Sequence, residues 1–273
     1  MSDAAKSRAQ AFRELHAPGR IFVVANAWDA GSARLLESCG APAIATTSAG
    51  LAWSHGYADG NVLPARVLAG AIAEIARVIS VPLSVDFEAG YSSDLAKVAE
   101  AIGPVLDAGA VGINLEDGSE SPDLLCAKIG ALKSAAQRKG VDLFVNARTD
   151  VVLRRLVPPE RAEAEAIARG KKYLAAGADG LFVPGLADPT SIRAIAAAVP
   201  LPLNLMIVPG LAPVAELRSL GVRRVSAGSA IAQSAYGLAK RAATQLLKEG
   251  RYDLLQERTL THPELNALFA ASR

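Results

Sequence analysis

The chain has 273 residues, of which 51% are hydrophobic and 21% are charged, and its net charge is +2. So small a net charge gives no reason to expect a nucleic acid or an anionic membrane as a partner. Two cysteines, Cys39 and Cys126, are too few for a disulfide framework. No apolar stretch approaches the roughly 20 residues that span a bilayer. We therefore expect a cytoplasmic protein with a large core.

One pattern recurs along the chain: a helix-like run rich in Ala and Leu ends in glycine, and a short apolar strand follows. Glycine just after a helix is a common stop because it adopts the left-handed conformation. The pattern occurs five times, at Gly40, Gly109, Gly140, Gly177 and Gly221. Three further apolar strands begin near Ile21, Val81 and Val199.

Eight apolar strands that alternate with helices predict a parallel sheet covered by helices. The length suits one closed (β/α)₈ barrel over residues 1–273, since such barrels typically have about 250 residues. An open, doubly wound sheet is the alternative. The sequence "ANAWDAGSA" after the first strand lacks the GxGxxG pattern of dinucleotide-binding folds.

Polar residues gather where these strands end. In a barrel the carboxyl ends of the strands meet at one mouth, which is where active sites of this fold lie. One polar residue could be a helix cap, but such residues follow most of the strands. They are Asn26, Asp29, Thr46, Thr47, Ser48, Asp86, Glu88, Glu116, Asp117, Asn146, Arg148, Asp150, Asn204, Ser226 and Ser229.

Three of these residues are carboxylates that follow the third and fourth strands: Asp86, Glu88 and Glu116. Side chains at i and i+2 of a strand share a face, so we expect Asp86 and Glu88 side by side. Unpaired, the three acids would repel one another, and a hard cation such as Mg²⁺ would relieve this repulsion. The alternative is that Asp86 or Glu88 caps the next helix while Glu116 pairs with Arg148.

Arg148 ends the fifth strand, and its planar guanidinium suits bidentate recognition of a carboxylate or phosphate. A purely structural salt bridge to Glu116 or Asp150 is the alternative. Gly50 would let the backbone approach a ligand closely. A cation held by acids beside an arginine suits a small 2-oxo acid, whose enolate a Lewis acid stabilises.

The motifs "NAWDAGSARLLE", "TTSAGLA", "VDFEAGY", "GINLEDG", "NARTD" and "VSAGSA" occur in this order along nearly the whole chain. In this ordered set the chain resembles the isocitrate lyase/phosphoenolpyruvate mutase superfamily, specifically its short bacterial members. The resemblance implies a (β/α)₈ barrel whose last helices are exchanged between subunits of a homodimer or homotetramer. The tail 251–273 is available for that exchange.

The resemblance also implies roles for individual residues. Asp86 would contact Mg²⁺ (or Mn²⁺) directly, and Glu88 and Glu116 would act through its water shell. Arg148 and the loop acid Asp59 would take part in catalysis. The substrate-binding positions would be Thr47, Ser48, Ala49, Gly50, Leu51, Arg148 and Asn204, with Ala49 in place of the usual serine.

The chain departs from the superfamily pattern in the residues that move protons. The K-[KR]-C-G-H loop of the lyases is missing, the connection 118–122 is short, and we expect Cys126 to pack in the core. Pro184 replaces the His or Glu expected after the sixth strand, and "NLMI" from Asn204 replaces N-x-T-E. His55 and Tyr57, in the loop after the second strand, are the candidate proton donors, although His55 could be a generic loop residue.

These departures argue against isocitrate cleavage and phosphonate mutation. Decarboxylation of a β-keto acid such as oxaloacetate demands least of the sequence, and another carbon–carbon lyase reaction comes next. A weakly active or non-catalytic 2-oxo-acid binding protein is the alternative of a different class, and a phosphonate hydrolase or phosphomutase is the third. The remaining histidines, His16 and His262, are expected at the surface.

Overall fold

The computed structural model describes residues 3–257 and 260–270, so five positions of the expected tail (258, 259 and 271–273) lie outside the described residues. Eight parallel strands form a closed barrel in sequence order, and β1 pairs with β8 to complete the ring. The predicted (β/α)₈ barrel is confirmed. The strands are β1 Phe22–Ala27, β2 Ile44–Thr46, β3 Leu83–Asp86, β4 Gly112–Glu116, β5 Phe144–Arg148, β6 Gly180–Phe182, β7 Leu203–Met206 and β8 Val222–Ser226.

Helices alternate with these strands around the outside of the barrel. A π-helical turn, Gln245–Glu249, interrupts the helical chain after β8. The helices are α1 Asp3–Leu15, α2 Ala30–Ser38, α3 Ser48–Ser54, α4 Ala65–Val78, α5 Leu95–Asp107, α6 Pro122–Arg138, α7 Pro159–Ala175, α8 Pro189–Ala198, α9 Val214–Ser219, α10 Ala230–Thr244, α11 Asp253–Gln256 and α12 His262–Ala270.

The five helix-stop glycines all have positive φ, between 68° and 100°. Each one lies between a helix and the strand that follows it, as the sequence predicts. Helix α6 begins at Pro122 with Ser121 as its cap, so the connection after β4 is short. Cys126 lies in α6 and packs against the core, as expected. Among the described residues, no helix is long and apolar enough to cross a bilayer.

Helix α1 closes the end of the barrel opposite the mouth. Phe12 is fully buried there and packs edge-on against Phe22 and Phe144. His16 is 6% exposed, its Nδ1–H donates to the Phe12 carbonyl at 2.8 Å, and its ring stacks on Phe144 at 4.1 Å. The expectation of a surface position for His16 is therefore wrong, because α1 folds back under the barrel. His262 is exposed, as expected.

The last helix folds back on its own chain in this single-chain structure. The Arg34 Nε–H of α2 donates to the Leu268 carbonyl of α12 at 3.1 Å. Phe269 of α12 approaches Gly31 of α2. The exchange of C-terminal helices between subunits stays a prediction.

Candidate active site

A cavity of about 190 Å³ opens at the carboxyl ends of the strands. Every strand, or the loop directly after it, contributes to its lining. The site therefore depends on closure of the whole barrel. The lining residues are Asn26, Thr47, Ser48, Ala49, Asp59, Asp86, Asn114, Arg148, Leu153, Phe182, Met206, Ser226, Gly228 and Ser229.

Asp86 is the last residue of β3, and its side chain lines the cavity. Its Oδ2 accepts a hydrogen bond from the Ser48 N–H at 3.1 Å, and its own N–H donates to Thr46 Oγ1 at 2.9 Å. Its Oδ1 is buried and has no hydrogen-bond partner among the described residues. A buried carboxylate oxygen without a partner is costly unless a donor or a cation meets it. This oxygen is therefore the best-placed ligand for a metal ion.

Glu88 does not share the strand geometry of Asp86. Strand β3 ends at Asp86, and Glu88 has a left-handed φ of 48° in the turn that follows. The side chain accepts hydrogen bonds from the Tyr91 hydroxyl at 2.9 Å and from the Asn61 N–H. The expectation that the two acids lie side by side on one strand face is wrong, because the chain turns between them.

Glu88 is nevertheless close enough to the mouth to interact with its charges. Burial is the main cause that raises its pKa, and the charges of Asp86 and Asp59 raise it further. The turn is held by Lys128 of α6, whose ammonium donates to the Ala89 carbonyl at 2.8 Å. Lys128 is 1% exposed, and no sequence signal marks this role, because Lys128 lies inside an ordinary helical pattern.

Glu116 and Arg148 are paired residues of β4 and β5, and Arg148 Nη1 lies 2.8 Å from Glu116 Oε2. Burial raises the pKa of Glu116 to about 8; Arg148 opposes this shift, while Asp86, Asp150 and Glu88 add to it. A carboxyl group with such a pKa is protonated most of the time at neutral pH, and a cation nearby would displace that proton.

Arg148 is also oriented by Asp150. Its Nε–H and Nη2–H donate to the two carboxylate oxygens of Asp150, at 2.7 and 3.2 Å. Asp150 is fixed in turn, because its N–H donates to Asp117 Oδ1 at 2.9 Å. Asp117 accepts from the Tyr173 hydroxyl at 2.5 Å. Arg148 therefore forms the structural salt bridges and also lines the cavity. Its Nη1 and Nη2 each have an N–H group left to donate to a ligand.

The residues present fit a hydrated divalent cation better than a fully protein-bound one. No group of three His, Cys, Asp or Glu residues within the described ranges is arranged to hold a metal directly. Asp86 offers a free oxygen, while Glu88 and Glu116 are engaged with other groups nearby. Mg²⁺ keeps several waters and often takes only one or two carboxylates, so Asp86 with these acids behind it suits such an ion.

The segment after β2 contributes only partly as expected. Thr47, Ser48 and Ala49 line the cavity, whereas Leu51 is fully buried in the core. Gly50 lies inside α3, where an added Cβ would be 2.7 Å from Trp28 Cβ and 2.8 Å from Thr47 Cγ2. Its small size therefore allows α3 to pack against the barrel, and the close approach is to protein rather than to the cavity.

The two candidate proton donors are not brought to the cavity. His55 and Tyr57 are exposed, and neither lines the cavity. The His55 Nδ1–H donates to the Leu51 carbonyl at 3.0 Å, and His55 is the residue directly after the end of α3. Asp59, further along the same loop, does line the cavity, as its predicted catalytic role requires.

Asn204 lies inside the barrel rather than at the cavity surface. It is fully buried; its Nδ2–H donates to the Leu205 carbonyl at 2.7 Å, and its Oδ1 accepts from Asn146 at 3.0 Å. Its predicted contact with substrate stays a prediction. Asn114, which does line the cavity, was not among the predicted site residues. A signal existed, because Asn114 lies two residues before Glu116 and so shares its strand face.

A closed parallel barrel, with acids and a half-buried arginine gathered at the carboxyl ends of its strands, is typical of (β/α)₈ enzymes. Residues 12–247 match the family model of phosphoenolpyruvate phosphomutase, and the chain belongs to this family. The predicted superfamily is confirmed, and the protein is an enzyme of it.

Relatives of known sequence and structure agree with this family. An uncharacterized protein of Mycobacterium tuberculosis is 39% identical over 227 residues, covering 80% of this chain and 81% of its own length. The oxaloacetate decarboxylase of Pseudomonas savastanoi pv. phaseolicola is 28% identical, with coverage of 94% and 89%. A crystal structure from Burkholderia cenocepacia J2315, provisionally named a phosphonomutase, is 41% identical with a TM-score of 0.83 and covers 88% of this chain and all of its own.

Proposed function

We propose that the protein is a divalent-metal-dependent enzyme that acts on a small 2-oxo or 2-hydroxy carboxylic acid through an enolate. The reaction class is a carbon–carbon lyase or an oxaloacetate-type decarboxylase, and Mg²⁺ is the proposed metal, with Mn²⁺ as the alternative. One observation carries the proposal: Asp86, whose buried Oδ1 has no hydrogen-bond partner among the described residues, lines a small cavity that an arginine also lines. The similarity to oxaloacetate decarboxylases supports the reaction class.

The residues of the cavity have distinct proposed tasks. When bound, the metal supplies a Lewis acid that stabilises negative charge on the substrate's 2-oxo oxygen. Arg148 binds the substrate carboxylate through its remaining N–H groups, and Glu116 and Asp150 hold the guanidinium in place. Asp59 lies at the opening and exchanges a proton with the substrate or with water.

The decarboxylase reaction balances without a dedicated protein acid. The bond between C3 and the departing carboxylate breaks, its electron pair passes into the enolate, and CO₂ leaves. Water or Asp59 then returns one proton to C3, which gives a 2-oxo acid. A reaction that needs no dedicated protein acid suits a site in which His55 and Tyr57 do not line the cavity.

The same position of His55 and Tyr57 favours one second candidate, a 2-oxo-acid binding protein with little or no turnover. Isothermal titration with Mg²⁺, followed by a turnover assay with oxaloacetate and a panel of C3 to C6 oxo and hydroxy acids, separates the two. We expect Asp86→Asn to lose Mg²⁺ binding and turnover, since its amide keeps an acceptor for Ser48 but no charge. Mg²⁺ binding without turnover of any acid would favour the binding protein. Unchanged Mg²⁺ binding in Asp86→Asn would contradict the proposed metal site.

A further inference from the structure

The cavity has two chemically different sides. The side formed by β1 to β4 and β8 presents hydroxyl, amide and carboxylate groups. The side formed by β6, β7 and the loop after β5 presents Leu153, Phe182 and Met206, which we call the apolar wall, and Arg148 of β5 borders it. At two of these strand ends the chain departs from its superfamily, with Pro184 close after Phe182 and with Met206 at the threonine position of N-x-T-E.

The apolar wall is fixed by its packing. Phe182 is 3% exposed, and the Arg148 guanidinium carbon lies 5.7 Å from the centre of its ring. Met206 fits because residue 228 is glycine, where an added Cβ would lie 2.7 Å from the Met206 sulfur. Leu153 is 44% exposed and forms the outer edge of the wall. Packing against neighbouring residues therefore holds Phe182 and Met206 of the apolar wall in place at the cavity.

The charges that line the cavity limit how many carboxylates a substrate can bring. Of the described residues that line it, Arg148 is the one cation, and Asp59 and Asp86 are the anions. Three groups of Arg148 already meet Glu116 and Asp150. One substrate carboxylate can use the remaining donors. A second carboxylate, directed at the apolar wall, would meet no donor from the wall side chains and would lose its hydration.

The geometry points to a substrate with a single carboxylate: a 2-oxo or 2-hydroxy monocarboxylic acid whose alkyl chain lies against the apolar wall. This inference rests on the proposed function and narrows it toward the carbon–carbon lyase. In cleavage of a 4-hydroxy-2-oxo acid, the C3–C4 bond breaks, its electron pair forms the enolate, and the hydroxyl proton is lost. C3 takes up one proton, so the products are a 2-oxo acid and an uncharged aldehyde.

Two five-carbon acids test the inference by direct binding in the presence of saturating Mg²⁺. 2-Oxovalerate and 2-oxoglutarate differ only in a terminal methyl group against a terminal carboxylate. We expect 2-oxovalerate to bind at least about tenfold more tightly in isothermal titration, which corresponds to about 1.4 kcal/mol. Equal or tighter binding of 2-oxoglutarate would overturn the inference and leave the proposed function standing. Failure of both acids to bind would overturn the two together.

A charge placed on the wall provides the second arm of the test. Leu153→Lys puts a cation at the exposed edge of the wall, and we expect it to reverse the preference toward 2-oxoglutarate. Leu95→Lys is the matched control, because Leu95 is similarly exposed at 38% and does not line the cavity. An unchanged preference in Leu153→Lys, in a variant whose circular dichroism matches the parent, would also overturn the inference.

Discussion

Arg148 Nη1 lies 2.8 Å from Glu116 Oε2, yet the pKa of Glu116 remains raised, to about 8. Burial is the largest cause, and the nearby carboxylates of Asp86, Asp150 and Glu88 add to it. The ion pair therefore does not satisfy the acidic cluster by itself. A divalent cation would supply the positive charge that this part of the mouth lacks.

The raised pKa of Glu116 predicts how the stability of the metal-free protein depends on pH. The folded state binds the Glu116 proton more tightly than the unfolded state, whose pKa is the ordinary value of 4.5. The contribution to stability is present below pH 4.5 and is lost as the pH rises to about 8. One such group lowers the free energy of unfolding by up to about 1.4 kcal/mol per pH unit in that window.

Urea unfolding at several pH values between 5 and 8, without metal, measures this effect. Glu116→Gln cannot titrate, so we expect its stability to change less with pH than that of the parent protein. Identical pH dependence in the two proteins would show that Glu116 is ionised throughout this range.

Glu88 is expected to support the metal from a distance. Replacement of a group that orients a metal site typically costs 10–100-fold in metal affinity, and we expect a loss of about this size in Glu88→Gln. Tyr91→Phe removes only the hydroxyl that donates to Glu88 at 2.9 Å, and its loss should be smaller. Glu100→Gln, an exposed change on α5, is the control. Titration with Mg²⁺ measures all three, and equal affinities for Glu88→Gln and the control would exclude Glu88 from the site.

Asp59, and not His55, is expected to matter for turnover. Asp59 lines the cavity, whereas the His55 ring is bonded to the Leu51 carbonyl outside it. Removal of a general acid or base typically lowers the rate by about 10²- to 10⁴-fold, so Asp59→Asn should lower kcat by this order. His55→Ala should leave kcat/KM close to that of the parent protein. A large loss in His55→Ala would place the loop differently during the reaction.

The fold followed from sequence because its signals are local. Glycines such as Gly109 and Gly177 stop helices through their own backbone preference, and apolar runs mark the buried strands. The closure of eight strands then follows from their number and from the length of the chain. The position of two acids at the mouth could be predicted in the same way, because Asp86 and Glu116 are the last residues of their strands.

The remaining features depend on contacts between distant segments. Glu88 turns toward Asn61 because the backbone after β3 becomes left-handed, which no side-chain periodicity shows. His16 is buried because α1 folds beneath the barrel onto Phe144. The apolar wall arises only when Leu153 and Met206, more than 50 positions apart, meet at one cavity. Such relationships require the three-dimensional path of the chain.

Gly50 is predicted to be essential for packing of α3. An added Cβ would lie 2.7 Å from Trp28 Cβ, and overpacking of this kind costs about 1–3 kcal/mol, so Gly50→Ala should destabilise the protein by that amount. Gly70→Ala in α4 is the matched control, because no neighbour lies within 4 Å of its added Cβ. There alanine should stabilise by about 0.5–1 kcal/mol through helix propensity. Urea unfolding that ranks the two variants in the opposite order would contradict this account.

Arg224 is predicted to reduce the stability of the fold. It is fully buried inside the barrel, and its Nε, Nη1 and Nη2 have no hydrogen-bond partner in the described part of the chain. Burial lowers its pKa to about 10, and the charge of Asp86 opposes this shift, so Arg224 stays charged at neutral pH. Its guanidinium carbon lies 5.9 Å from the centre of the Phe12 ring. Apolar residues that replace buried charged groups often stabilise a protein by about 1–4 kcal/mol, and we expect a gain of this order in Arg224→Met.

Arg148→Met is the comparison, since Arg148 has a side chain that is 15% exposed and close acidic partners at 2.7 and 2.8 Å. Its replacement removes the close counter-charge of Glu116 and leaves Asp150 paired with Arg154 alone, at 2.7 Å, so it should destabilise the protein by about 3–5 kcal/mol. Urea unfolding at pH 7 measures both variants. Equal destabilisation by Arg224→Met and Arg148→Met would contradict this prediction. It would mean that the Arg224 guanidinium has hydrogen-bond partners in solution, for example buried water molecules.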